Sequence, residues 1–167
     1  PHIITLAKTY AVNVNIGVLL QYPPYCVVMI DSLVNFDTTI LLHRMSNNIP
    51  LYCSSLGKVF LAFSDEQLVA SILPTLTLKP YTPTTITDMQ QLRDEIRRTQ
   101  EQGFALDRGE IQPDLYCIAA PIRDNNGLAA AISISDRAEK MNALHDELVT
   151  QLLDTAKIIS YQLGGMT

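Results

Sequence analysis

The sequence predicts an α+β fold built on a central antiparallel β-sheet that is flanked by helices. Three strand-like segments follow one another in the first third of the chain, and turns join them, which favours antiparallel pairing. A block of helices comes next, and a hairpin signal and a long amphipathic helix close the chain. Strands and helices segregated in this way are typical of α+β proteins rather than of α/β proteins with crossover helices.

Composition and charge narrow the class of protein. The 167 residues are 47% hydrophobic and 17% charged, which fits a folded chain, and we expect one domain spanning residues 1–167. The net charge of −5 makes this chain by itself a poor DNA binder, because phosphate contacts need clustered Lys and Arg. The sequence contains no run of about 18 apolar residues, so we expect no membrane span. Three widely spaced cysteines and no signal-peptide pattern favour a reducing cytoplasm.

The first elements are read from hydrophobic periodicity. Residues 2–9 have the pattern expected of the end of a helix, and residues 12–20 alternate apolar and polar positions as a half-buried strand does. Residues 26–30 are rich in β-forming side chains and predict a second strand. Residues 38–45 predict a third.

The stretch from Pro50 to Phe63 is the most informative in the chain. Pro50 ends the preceding segment, and Ser54 and Ser55 are good caps for a helix that begins there. The apolar positions that follow at helical spacing are Leu56, Val59, Phe60 and Phe63. This helix is apolar nearly all round, so its start should be buried, and its free N–H groups then need partners. Two interpretations remain open: a core helix with serine caps, or a pocket whose bound anion supplies those partners.

Two capping boxes predict the next helices, with Ser64 and Thr87 as N-caps. The first helix should end near Ile72, and the second near Gly103, a usual helix terminator. Residues 104–114 show no clear period and are predicted to be irregular.

A hairpin and a long helix complete the prediction. Residues 115–122 and 128–135 read as strands joined at Asn126-Gly127, a strong hairpin signal. A final amphipathic helix, with Asn142 as its N-cap, should cover one face of the sheet. Its apolar positions are Leu144, Leu148, Leu152, Ala156, Ile159 and Leu163.

The alternation of the returning strand predicts a pocket on the opposite sheet face. The final helix should pack on the face that carries Ile132, so Ser133 and Ser135 face the other way, together with Leu115 and Cys117 of the partner strand. A mainly apolar surface with a few polar groups is typical of small-molecule sites. A solvated strand face with Cys117 as a core residue is the alternative.

Four segments together resemble the effector-binding domain of IclR-family bacterial transcription regulators. They are residues 50–62, with Gly57-Lys58, residues 103–124, and the shorter runs 131–135 and 159–164. The resemblance implies a GAF-like, profilin-like sheet with the long C-terminal helix on one face. It also implies a winged helix-turn-helix domain N-terminal to this chain, which begins at Pro1 and which we expect to be part of a longer protein, with residues 1–10 ending a linker helix.

The resemblance also implies an effector site. Backbone N–H groups of Ser55 and Leu56 would bind a carboxylate, and Leu56, bulkier than the family's usual residue, would narrow the pocket. Side chains of Asp107, Ser133 and Ser135 would bind the effector's polar substituents. The remaining residues are apolar or small: Leu115 and Cys117 as the floor, and Leu42 and Met45 as a wall.

The implied function is ligand sensing without catalysis. A small carboxylate effector would shift a homodimer or homotetramer that contacts DNA only through the N-terminal domain, with no membrane and no cofactor or metal. Two alternatives stay open: a GAF-like cysteine-dependent reductase that uses Cys117, and a structural dimerisation module that binds no ligand.

Overall fold

The computed structural model describes residues 2–33 and 48–165, and within them the strands form one antiparallel sheet, as predicted. The strand order is β2-β1-β5-β4-β3. The strands are β1 (Asn13–Leu19), β2 (Val27–Leu33), β3 (Ala105–Arg108), β4 (Leu115–Asp124) and β5 (Gly127–Arg137). The third predicted strand, residues 38–45, lies outside the described residues.

Helices pack on both faces of this sheet, which confirms the α+β class. They are α1 (His2–Tyr10), α2 (Ser55–Phe63), α3 (Glu66–Ile72), α4 (Met89–Gln102), α5 (Ala138–Ala143) and α6 (His145–Gln162). A 3₁₀ turn, Leu73–Thr75, follows α3.

Each sheet face has its own hydrophobic core. The α6 side packs Leu148 and Leu152 against Ile132 and Ile134, so the long final helix covers one face as predicted. On the other face α2 packs against small residues, Ala105, Ala119 and Ala131. Small side chains on a sheet surface let a helix approach the strands closely, which brings the buried α2 near the sheet.

The hairpin is confirmed, but its turn lies one residue earlier than predicted. Asp124 pairs with Gly127, so Asn125 and Asn126 form the two-residue turn. Gly127 has φ of +122°, a conformation that favours glycine, which is why the Asn-Gly signal marked the right place. Pro121 is tolerated inside β4 because the pairing of β4 with β3 ends at Ala119. On that side of β4, no described strand needs an N–H from position 121.

The two N-caps predicted from capping boxes, Ser64 and Thr87, are wrong by one residue. The α3 cap is Asp65, whose carboxylate accepts from the N–H groups of Gln67 and Leu68, and Ser64 instead ends α2. The α4 cap is Asp88, which accepts from the N–H of Gln91, rather than Thr87. In each case a carboxylate follows the predicted hydroxyl and interacts more favourably with the positive end of the helix.

Two longer segments also differ from prediction. Residues 104–114 are not wholly irregular, because they contain β3, a four-residue strand too short to show alternation. The C-terminal helix is not continuous from Asn142: α5 ends at Ala143, and α6 begins at His145 after a break at Leu144. Asn142 therefore lies inside α5. The helical spacing of apolar residues continues across the break, so the hydrophobic pattern could not reveal it.

Candidate functional site

Strand register brings three polar or reactive side chains into one row on the sheet. Asp107 of β3 lies opposite Cys117 of β4, and Cys117 lies opposite Ser135 of β5. In the next row on the same face, Ser133 lies opposite Asn15 of β1. Neighbouring strands are about 4.8 Å apart, so the first row places a carboxyl, a thiol and a hydroxyl side by side.

The N-terminus of α2 provides hydrogen-bond donors beside these rows. Its N-cap is Ser54, whose Oγ accepts from the N–H of Gly57 at 3.0 Å and donates to the carbonyl of Pro50 at 2.6 Å. The N–H groups of Ser55 and Leu56, in the first turn, find no acceptor among the described residues. Within the described part of the chain, the positive end of this nine-residue helix therefore has no partner for its first donors.

These groups enclose a cavity between α2 and the sheet, named here the α2 cavity. Its volume is about 20 Å³, room for about one water molecule. The lining residues are Asn15, Met29, Ile49, Ser54, Ser55, Leu56, Asp107, Leu115, Cys117, Ser133 and Ser135.

Ser135 is the most informative residue of the α2 cavity. It is 1% exposed, and its Oγ has no hydrogen-bond partner within the part of the chain that the structure describes. A buried hydroxyl without a partner costs about 1–3 kcal/mol, so such groups are rare in folded proteins unless a ligand or water serves them.

The sequence-predicted residues meet at this cavity wherever they can be located. Those that line it are Ser55, Leu56, Asp107, Leu115, Cys117, Ser133 and Ser135. Leu42 and Met45 lie outside the described residues. Sequence reasoning missed Asn15, Met29, Ile49 and Ser54. For Asn15 a signal existed: it occupies a polar position of the alternating first strand, on the face that pairs beside Ser133.

Asp107 is a buried carboxyl with an unusual protonation equilibrium. It is 2% exposed, and its Oδ1 accepts from the N–H of Glu110 at 2.7 Å. The pKa of Asp107 is raised to about 7, mainly by burial and in part by the nearby Glu110 carboxylate. This hydrogen bond and the charge of Lys58 lower the pKa, but by less. The cavity therefore contains an acid that changes charge near neutral pH.

Lys58 supplies an ion pair behind the cavity. Its side chain is fully buried, and Nζ donates to the carbonyl of Leu106 at 2.8 Å and to Oε1 of Glu110. A more distant contact joins it to Glu95 at 3.4 Å. Burial raises the pKa of Glu110, and the Lys58 charge opposes that rise. Since the backbone of Glu110 holds Asp107, this pair positions the cavity carboxyl.

The Thr-rich loop before α4 holds the same segment from the other side. Thr85 Oγ1 donates to the carbonyl of Glu110, and Thr82 Oγ1 donates to the carbonyl of Gly109 at 2.6 Å. Three threonines lie close together in this loop, Thr82, Thr84 and Thr85. The structure shows that its hydroxyls fix the turn that carries Glu110.

The cysteines are poorly suited to nucleophilic chemistry. Burial raises the pKa of Cys117 well above its ordinary value, and it raises the pKa of Cys53 to about 12, so both are thiols at neutral pH. A reductase needs a thiolate. In the described part of the chain no three His, Cys, Asp or Glu residues are grouped to hold a metal ion. The arrangement suits binding rather than covalent catalysis.

The raised pKa of Asp107 predicts a pH-dependent stability. Between its ordinary pKa of 3.8 and its folded pKa of about 7, the folded protein holds a proton that the unfolded protein releases. The free energy of unfolding therefore falls as pH rises through this window. We expect Asp107→Asn to remove this loss and to stabilise the protein by roughly 2 kcal/mol more at pH 8 than at pH 5, measured by urea denaturation. The exposed Asp114→Asn is the control for a lost surface charge; an equal effect of both variants would contradict the assignment.

Comparison with known proteins shows which protein family the chain matches. The family model described as "Bacterial transcriptional regulator IclR C-terminal" matches residues 1–161. The HTH-type transcriptional regulator RhmR of Escherichia coli K12 is 32% identical over 166 residues, which are 98% of this chain. The chain spans 63% of the length of RhmR.

Solved structures show the same fold. The C-terminal domain of the E. coli transcriptional regulator KdgR has a TM-score of 0.84 and 28% identity, covering 98% of this chain and 94% of that one. An IclR homologue from Microbacterium hydrocarbonoxydans, crystallised with 4-hydroxybenzoate, has a TM-score of 0.84 and 24% identity, over 98% of this chain and 65% of that one. No helix within residues 2–33 or 48–165 is long and apolar enough to span a bilayer.

Proposed function

Because the chain belongs to the IclR family of bacterial transcriptional regulators, as its C-terminal domain, we propose that it senses a small organic acid bound in the α2 cavity. The observation that carries the proposal is a set of donors in one cavity that have no partner among the described residues. They are the N–H groups of Ser55 and Leu56 and the buried hydroxyl of Ser135.

The chemistry of these donors favours a carboxylate. The start of α2 is positive, and it offers two N–H groups at the spacing that carboxylate oxygens accept. Ser133 and Ser135 supply hydroxyls for the effector's remaining polar atoms, and Leu115 and Leu56 supply apolar contact. This combination suits an acid of a few carbon atoms with a carbonyl or hydroxyl substituent.

The size of the α2 cavity connects binding to conformational change. Its volume of about 20 Å³ holds one water molecule, so an effector enters only if lining side chains move apart. The effector thereby favours a more open arrangement of the domain, and the shift is limited by its difference in affinity for the two arrangements. In the full-length regulator this shift would change the homodimer or homotetramer and, through the N-terminal domain, its affinity for operator DNA.

Two facts about similar proteins support this proposal. RhmR, similar over nearly the whole chain, is named as a helix-turn-helix transcriptional regulator. The Microbacterium homologue, which shares the fold, was crystallised with an aromatic acid. The raised pKa of the Cys117 thiol argues against the reductase alternative.

A thermal-shift panel tests the proposal. The probes are a keto acid, a dicarboxylate, a sugar acid and an aromatic acid, namely pyruvate, succinate, gluconate and 4-hydroxybenzoate. A ligand at about 100 times its Kd stabilises the folded protein by roughly 2.7 kcal/mol. For a domain of this size we expect a selective hit to raise the melting temperature by about 5–10 °C.

Ser135 variants place the hit. Ser135→Leu should fill the cavity and abolish the shift. Ser135→Ala should weaken binding while keeping or slightly raising the stability of the free protein, because the hydroxyl has no partner to lose among the described residues. Ser71→Ala on the exposed side of α3 is the matched control and should bind like the parent. If a hit survives Ser135→Leu, the effector binds elsewhere. If no probe shifts the folded protein, the alternative of a structural module without ligand gains support.

A further inference from the structure

We infer that Asp107 is protonated in the effector complex and donates a hydrogen bond to the effector's carboxylate, so that binding takes up about one proton above neutral pH. The inference rests on the proposed function, and it adds a specific role for Asp107, that of proton donor to the effector's carboxylate. It makes this domain a sensor of acid and of pH together.

Geometry puts the two carboxyl groups in one small space. Asp107 lies opposite Cys117 on the neighbouring strand, and Ser55 at the start of α2 lines the same cavity as both of them. A carboxylate held by the N–H groups of Ser55 and Leu56 therefore sits over the row that begins with Asp107. The α2 cavity holds about one water, so solvent cannot screen the two groups from each other. Two carboxylates in such a space do not both ionise, and one keeps a proton.

Within residues 2–33 and 48–165, the charges around Asp107 do not offer it a cation of its own. The titratable groups around it are Lys58 on α2, Glu110 after β3, Glu95 on α4, and the thiols of Cys53 and Cys117. Lys58 is the only cation in this set, and its Nζ is occupied by Glu110, Glu95 and the carbonyl of Leu106. A second negative charge beside Asp107 would thus be uncompensated. The effector has an ionised carboxyl that the helix start stabilises, so the proton belongs on Asp107.

The free protein is prepared for this step. Burial raises the pKa of Asp107 to about 7, so at pH 6 it already carries the proton, and at pH 8 it has mostly lost it. Binding of an anion raises this pKa further. Proton uptake on binding should then be near zero at pH 6 and near one at pH 8, and the Kd should weaken about tenfold between these values.

Calorimetry measures the protons directly. Pyruvate, gluconate and 4-hydroxybenzoate, whose carboxyl groups are ionised throughout this range, are titrated into the 167-residue chain at pH 6 and pH 8. Each titration is repeated in phosphate and in Tris, whose heats of ionisation differ. The dependence of the binding heat on the buffer gives the number of protons taken up.

Asp107→Asn separates this inference from its alternative. The asparagine amide donates as a protonated carboxyl does, so we expect binding to persist, the buffer dependence to vanish, and the Kd to be equal at pH 6 and pH 8. The control Asp94→Asn removes an exposed carboxylate of α4 that pairs with Arg97 and does not line the cavity, and it should keep the parent's proton uptake.

Each other outcome overturns the inference. If a probe binds without proton uptake, or binds more tightly at pH 8 and fails with Asp107→Asn, then Asp107 is an ionised acceptor for an effector hydroxyl; the proposed function survives that result. If none of the three acids binds at either pH, the inference fails together with the proposed function.

Discussion

Replacing Lys58 with methionine is expected to lower the free energy of unfolding by about 3–5 kcal/mol, one of the two largest effects in the chain. The side chain of Lys58 is fully buried, and it is the cation for Glu110, whose carboxyl is itself buried. Methionine keeps most of the volume but leaves that carboxylate without compensation. Urea denaturation at pH 7 measures the loss.

Lys140 is a matched control for this variant. It too donates to one carboxylate, Asp136, and to one backbone carbonyl, that of Ala11, each at 2.8 Å. Its side chain is 32% exposed, so water can replace both bonds, and Lys140→Met should cost about 1 kcal/mol or less. The contrast tests burial as the main cause, because each lysine has one carboxylate and one carbonyl within about 2.8 Å, although Lys58 also contacts Glu95 at 3.4 Å.

A double-mutant cycle identifies the partner. Lys58→Met combined with Glu110→Gln should recover much of the stability lost in Lys58→Met, since no buried charge then remains uncompensated within the pair. Additive losses, or a loss below 1 kcal/mol for Lys58→Met alone, would show that the ion pair does not stabilise this fold.

Gly57→Ala is the second large effect. A Cβ at this position would lie 2.4 Å from Cα of Leu51 and 2.5 Å from its carbonyl oxygen. These are backbone atoms of Leu51, which cannot rotate away as a side chain can. Alanine favours helices, and at an exposed site this change would stabilise α2. Here we expect a loss of about 3 kcal/mol or more, measured by urea denaturation, together with weaker effector binding because the start of α2 must shift.

Gly17→Ala is the comparison for this prediction. Its Cβ would meet Cγ1 of Val27 at 2.5 Å, as close as the contacts at Gly57, but the neighbour is a side chain that can rotate. We expect a smaller loss, of about 1–2 kcal/mol. If Gly17→Ala costs as much as Gly57→Ala, the rigid contact with Leu51 does not explain why glycine occupies position 57.

Local patterns predicted most of the fold because each depends on residues close in sequence. Alternation around Ile132 and Ser133 assigned both faces of β5 correctly, and Gly103 ends α4 in the left-handed conformation expected of such a cap. The errors were local as well. Asp65 and Asp88 each compete with a neighbouring hydroxyl for the same cap, and propensity alone ranks such neighbours poorly.

The cavity itself was predictable only in part. Ser133 and Ser135 were assigned to the face opposite the final helix from alternation, and Ser55 from the capping pattern, but nothing local indicates that Ser135 lacks a partner. That observation depends on every neighbour in space. The same holds for Asn15, which joins the cavity because β1 pairs with β5, although 118 residues separate Asn15 from its partner Ser133 (133 − 15).

The sequence by itself determined most of the elements, the apolar faces, and the serines that reach the α2 cavity, because periodicity and capping act over a few residues; Asp107 was assigned to the site only through the family resemblance. Only the tertiary structure decided how those groups meet. Lys58 and Glu110 are 52 residues apart, and Asp107 lies beside Cys117 through strand register. Because these groups are buried, the carboxylate of Glu110 needs Lys58 as its compensating cation. Burial also raises the pKa of Asp107 to about 7. Desolvation depends on the whole packed environment, which no single stretch of sequence contains.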